Sequence, residues 1–104
     1  MQRVAFKMKL NPGSEEEYRK RHDQIWPELT DLLSSSGIED YSIFLDEETL
    51  SLFAILKIQD AARLESLPSF PVMQKWWHYM KDIMQSNPDH SPVTVPLKEM
   101  FHLS

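Results

Sequence analysis

The sequence predicts an α+β protein of the ferredoxin-like kind: elements in the order β-α-β-β-α-β, forming a four-stranded antiparallel sheet with helices on one face. Three observations predict it. Residues Arg3 to Leu10 alternate between apolar and charged side chains. Two apolar runs, Ile38 to Leu45 and Leu50 to Ile58, flank a short polar turn. Stretches of helical spacing lie on either side of that pair. The 104 residues suit a single domain spanning 1–104, and size scaling lets such a chain bury about two-thirds of its unfolded surface.

The first strand places Val4, Phe6, Met8 and Leu10 on one face and Arg3, Lys7 and Lys9 on the other, and the Asn11-Pro12-Gly13 turn closes it. Ser14 followed by Glu17 reads as a capping box, with Glu15 and Glu16 adding charge that the positive end of a helix favours. Tyr18, His22, Ile25, Leu29, Leu32 and Leu33 then fall on one helical face. Pro27 cannot continue that helix, because it lacks a donor and clashes one turn back. A break between Asp23 and Trp26 is expected, with Pro27 in the first turn of a second piece that ends at Ser34-Ser35-Ser36-Gly37. The two apolar runs form a hairpin around Asp46-Glu47-Glu48-Thr49. Asp60 to Leu67 reads as a short helix broken by Pro68 to Pro71. Val72 to Met84 reads as a longer one with Met73, Trp76, Trp77, Met80 and Met84 over one broad side. Asn87 to Pro96 carries three prolines and reads as loop, and Leu97 to Leu103 as the last strand.

The third strand is apolar on both faces, with Leu52, Ala54, Leu56 and Ile58 on one and Phe53 and Ile55 on the other. A strand apolar on both sides is usually covered on both. Helices on one face leave the other for a second copy of the chain, most simply a two-fold homodimer, or else for a ligand or loop.

Sixteen acidic against eleven basic residues, a net charge of −5, give no basic footprint for nucleic acid and no attraction to an anionic membrane surface. The chain has no cysteine, which excludes disulfides, zinc-thiolate sites and thiol catalysis. Arg3, Lys7 and Lys9 leave no apolar core for a signal peptide in the first ten residues, and the longest apolar run is Leu52 to Leu56, so a cytoplasmic protein is expected. Gly13 and Gly37 are the only glycines, leaving no phosphate loop, and neither a His-Glu-x-x-His pattern nor a nucleophile elbow is present.

What remains is a histidine among aromatics. His22 follows Tyr18 by four residues, so the two share a helix face beside the break at Pro27. Such a histidine is often a packed or solvated residue. It is also the side chain that supplies both acid and base forms near neutrality. Trp76 and Trp77 are adjacent and point about 100° apart on a helix, so one packs while the other reaches a rim or cleft; both capping the core edge is the competing reading. Tyr41 and Tyr79 add hydroxyls where an apolar residue would pack as well. Tyrosine, tryptophan and histidine together suit a neutral polyol, because aromatic faces cover C–H surface while polar tips bind hydroxyls. His78 is expected on an exposed helix side, and His90 and His102 on a loop and a strand surface.

Along its length the chain resembles the L-rhamnose mutarotase family, a group of dimeric α/β barrels. The matching stretches are Glu16-Glu17-Tyr18, His22 with Ile25-Trp26-Pro27-Glu28-Leu29, Tyr41-Ser42-Ile43-Phe44-Leu45-Asp46, Leu52-Phe53-Ala54, Trp76-Trp77-His78-Tyr79-Met80 and Asn87-Pro88-Asp89. The resemblance implies an isomerase that interconverts the α and β anomers of L-rhamnose, with His22 as proton donor and Tyr18, Tyr41, Trp76 and Trp77 as sugar contacts. It implies a homodimer and no metal or other cofactor. His90 stands where the family has asparagine. The same dimeric fold hosts cofactor-independent oxygenases and haem-degrading enzymes, which a haem titration distinguishes. A non-catalytic sugar-binding module would bind rhamnose without speeding anomer exchange.

Overall fold

Four strands, β1 (Gln2–Lys9), β2 (Ile38–Asp46), β3 (Ser51–Ile58) and β4 (Val95–Leu97), lie in the order β2-β3-β1-β4, all neighbours antiparallel. The structure, a computed structural model, describes residues 1–104. Along the chain, α1 (Glu15–Asp23) and α2 (Pro27–Ser35) fall between β1 and β2, and a 3-10 helix at Ala61–Ser69 and α3 (Pro71–Met80) fall between β3 and β4. This is the predicted ferredoxin-like order. The helix break also falls where Pro27 demands it: Pro27 opens α2, and Gly37 beyond its end takes φ +86°, a left-handed turn that glycine adopts without strain. No helix is long and apolar enough to cross a membrane.

The core lies between the sheet and the helices. Leu52, Ala54, Leu56 and Ile58 of β3 are at most 2% exposed. They pack with Met8 and Leu10 from the β1 side, Leu29 and Leu32 of α2, and Met73, Trp76 and Met80 of α3. Leu56→Ala is expected to destabilise the fold by about 2–5 kcal/mol, because a closed core leaves a cavity where the side chain was; urea unfolding measures it.

Several local expectations are corrected. The Ser14 side chain makes no capping bond. With ψ near 8° the residue lacks the extended backbone that aims a cap oxygen at the first amides, and the Tyr18 N–H instead donates to the Ser14 carbonyl at 2.9 Å. The 3-10 helix runs through Pro68 to Ser69 where a break was expected. α3 stops at Met80, four residues short of Met84. The following residues are drawn to the end of β1: the Asn11 N–H donates to the Ile83 carbonyl at 2.9 Å, Leu10 bridges Met84, and the Gln85 N–H donates to the Lys9 carbonyl at 2.9 Å.

The last strand lies N-terminal to the predicted one, at Val95–Leu97, and contains Pro96. β4 pairs only with β1, and a sheet edge tolerates proline. Beyond Leu97 the chain leaves the ladder, and side-chain contacts from Arg3 to Glu99 and His102 take over. His102 therefore lies on this tail and not on a strand.

Candidate active site

A β-bulge sets Tyr41. β2 pairs Glu39 with Lys57 and Ser42 with Ile55, so Asp40 and Tyr41 together oppose Leu56. Asp40 takes φ +49°, which an aspartate tolerates better than most residues. The extra residue restores the alternation that puts Ile38 and Ile43 on the helix-covered face and brings Tyr41 to it.

There Tyr41 lines a cavity of about 70 Å³ with Tyr18 and His22 of α1, Trp76 and Trp77 of α3, and His90 from the loop before β4. The cavity thus gathers the five residues to which the resemblance gives roles. Trp76 is buried and Trp77 half-buried, the division that their adjacency requires. Tyr79 does not join them: its ring is 42% exposed and packs on Trp26 outside the cavity.

His22 brings an imidazole into the cavity wall. Its ring lies 4.4 Å from that of Tyr18 and meets Trp76 edge-on at 5.4 Å. Nδ1 is 3.0 Å from the Tyr18 carbonyl oxygen. A carbonyl only accepts, so Nδ1 carries the hydrogen and Nε2 of the neutral ring keeps its lone pair. Burial lowers the imidazole pKa, against opposing pulls from the Tyr18 carbonyl and the Asp23 charge.

Both phenols are held in the opposite state. Burial, with the nearby Tyr41, drives the Tyr18 hydroxyl far above its ordinary range, and desolvation where the Tyr41 hydroxyl packs pushes it up to about 12 although 38% of that residue meets solvent. Each is a neutral hydrogen-bond donor at physiological pH. No buried side-chain nitrogen or oxygen lacks a hydrogen-bond partner. Tyr18 is only 9% exposed, and no protein group bonds its hydroxyl, so that hydroxyl opens onto the cavity.

Two participants escaped the sequence reading. His90 lines the cavity and packs edge-on against His78 at 4.9 Å. Its φ of +72° is a left-handed conformation in which asparagine is commoner, a local reason for the residue the resemblance led us to expect there. Trp26 meets Trp76 edge-on at 5.1 Å and stacks on Tyr79 at 5.6 Å, supporting the cavity wall from behind. Its place in the break next to Pro27 was the available signal.

A family model described as L-rhamnose mutarotase matches residues 3–103. The chain belongs to the L-rhamnose mutarotase family. A family member from Sinorhizobium fredii is 60% identical over 104 residues, the full length of both chains. Another, from Formosa agariphila, is 52% identical over 103 residues, 99% of each. The crystal structure of an L-rhamnose mutarotase from Formosa agariphila superposes with a TM-score of 0.93 at 50% identity, covering all of both chains. Rv0793 from Mycobacterium tuberculosis superposes with a TM-score of 0.61 at 12% identity over 98% of this chain and 97% of its own, a likeness of fold alone.

Proposed function

We propose that this chain interconverts the α and β anomers of L-rhamnose, acting as a cytoplasmic homodimer of a domain that spans residues 1–104. The observation that carries the chemistry is the pairing, in one aromatic cavity, of a neutral imidazole with two protonated phenols.

Anomer exchange needs one proton to leave the anomeric hydroxyl and another to reach the ring oxygen. His22 Nε2 takes the first, and the O1–H bonding pair becomes the second C1–O1 bond of the aldehyde. A phenol, Tyr18 or Tyr41, donates to the ring oxygen as it departs with the C1–O5 bonding pair. After rotation about C1–C2 the ring oxygen attacks the other face of C1 and gives its proton back, and the imidazolium returns its proton to O1. Nothing is consumed. His22 is thus acceptor first and donor second, since its lowered pKa leaves it uncharged at neutral pH. Trp76 and Trp77 supply the apolar surface for the sugar's C–H side.

Saturable quenching of tryptophan fluorescence by L-rhamnose is the expected sign of binding. Trp77→Phe is expected to weaken it several-fold with little loss of stability, since Trp77 is only half-buried. Trp76→Phe is expected to lower the melting temperature as well, because Trp76 is 6% exposed and packed in the core. Unchanged affinity in both variants would return the pair to the core. Anomer exchange followed by NMR then separates an enzyme from a module that only binds sugar.

The homodimer is supported by the uncovered face of the sheet. The register lays Ser42, Ile55, Ala5 and Leu97 in one row across the four strands and Phe44, Phe53, Lys7 and Val95 in the next. Phe44 is 62% exposed, Val95 47% and Ile55 42%. The single chain exposes 7124 Å², against roughly 6,100 Å² expected for a compact monomer of this mass. The open sheet face and the exposed tail beyond Leu97 both contribute to that excess.

A further inference from the structure

α1 carries His22, yet it is weakly anchored. Tyr18 is its only buried residue, and the close backbone packing of helices in the fold involves α2 and α3 instead. The place of His22 in the cavity wall therefore needs another constraint. It comes from the residue immediately before His22 in the chain.

The Arg21 side chain is only 10% exposed and reaches across to the end of α3. Nε donates to Glu17 Oε2 at 2.7 Å on its own helix. One terminal nitrogen donates to the Tyr79 carbonyl at 2.6 Å and to Asp82 Oδ1 at 2.9 Å, and the other to Asp82 Oδ2 at 3.2 Å. The guanidinium also lies 4.3 Å over the Tyr79 ring. The early end of α3 makes this possible: the Tyr79 carbonyl lies in the last turn, where acceptors are unpaired and a cation is favoured. Tyr79 also stacks with Trp26, which abuts Trp76, which abuts His22.

We propose that Arg21 is a positioning residue, latching the helix that bears His22 to the end of the helix that bears Trp76 and so fixing the imidazole in the cavity wall. The consequence for catalysis rests on the mutarotase reading; the latch itself does not. A planar fork with several donors is required, and lysine's single ammonium cannot span Glu17, the Tyr79 carbonyl and both Asp82 oxygens together.

Arg21→Lys keeps the charge and removes the fork, so its effect reports geometry and not field. The readout is the His22 titration midpoint, followed by NMR of the imidazole protons in the whole protein. The groups facing that ring are Tyr18 and Asp23 from α1, Tyr41 from β2, Trp76 from α3, and His90 across the cavity; none is altered. Loosening α1 admits water, so the midpoint is expected to rise toward the ordinary histidine value, with kcat for anomer exchange falling at least ten-fold and sugar affinity changing less. Asp82→Asn, which keeps the cation and weakens the clasp from the other side, is expected to shift the midpoint the same way by less, and serves if Arg21→Lys does not fold. An unmoved midpoint and unchanged kcat, with only a lower melting temperature, would overturn the proposal and leave Arg21 a stabilising residue. A moved midpoint in a protein whose wild type does not exchange anomers would sink the mutarotase reading and leave the latch standing.

Discussion

His22→Gln is expected to lower L-rhamnose anomer exchange at pH 7 by about two to four decades, the range of one general acid–base group. Glutamine retains a hydrogen-bonding side chain at the helix position but has no group that accepts and returns a proton. The fold is expected to survive in His22→Gln and His22→Ala alike, since the ring's hydrogen bond goes to a carbonyl on its own helix and no charged partner is stranded. Near wild-type exchange in His22→Gln would reduce His22 to a positioning role. The native rate carries a matching signature. Burial lowers the imidazole pKa, so the base form prevails at neutral pH and the rate is expected to fall only in acid, with its midpoint below the ordinary 6.5. Stability follows the same group: between the folded and unfolded pKa values the unfolded chain binds the proton more readily, so His22 makes the protein less stable as pH falls through that window. A rate that does not fall at any acidic pH where the protein stays folded, with chemistry limiting, contradicts the role given to His22.

Ile55→Glu is expected to convert the proposed homodimer to monomer or to aggregate. Ile55 sits in the middle of the open face, between Ala5 on β1 and Ser42 on β2, with Phe44 and Phe53 in the adjoining row. A carboxylate there would be buried without a partner in the dimer, at a cost of several kcal/mol per subunit. The helix-facing core is untouched, so the melting transition of the variant is expected to remain cooperative. Light scattering checks both proteins. A wild type of 12.3 kDa at micromolar concentration would remove the dimer altogether.

The first strand and the helix break were legible in the sequence because each rests on a local rule: alternation in Arg3 to Leu10, and proline's missing donor at Pro27. It was less informative wherever a distant segment competes for backbone groups. Met84 has helical spacing with Met80, but the end of β1 offers Leu10 as a partner, and the helix gives way. The last strand was misplaced for a related reason, since proline reads as loop until the strand is known to lie on an edge. In the site, Tyr18 and His22 were legible from one helix period. Tyr41 rests on a bulge that no periodicity announces; its hydroxyl marked it, and its role as a sugar contact came from the family resemblance. His90 enters the cavity through a left-handed loop residue, and Arg21 reads as one more surface charge until α3 is seen to stop beside it.

The most direct test of the proposed function is the exchange rate between the two anomeric proton signals of L-rhamnose at neutral pH, measured by NMR saturation transfer with and without the protein. A mutarotase raises that rate in proportion to protein concentration and saturably in sugar, leaves the anomer ratio unchanged, and loses the effect in His22→Gln. An exchange rate equal to the uncatalysed one, from protein that still binds L-rhamnose, would contradict the proposal and leave a sugar-binding module in its place.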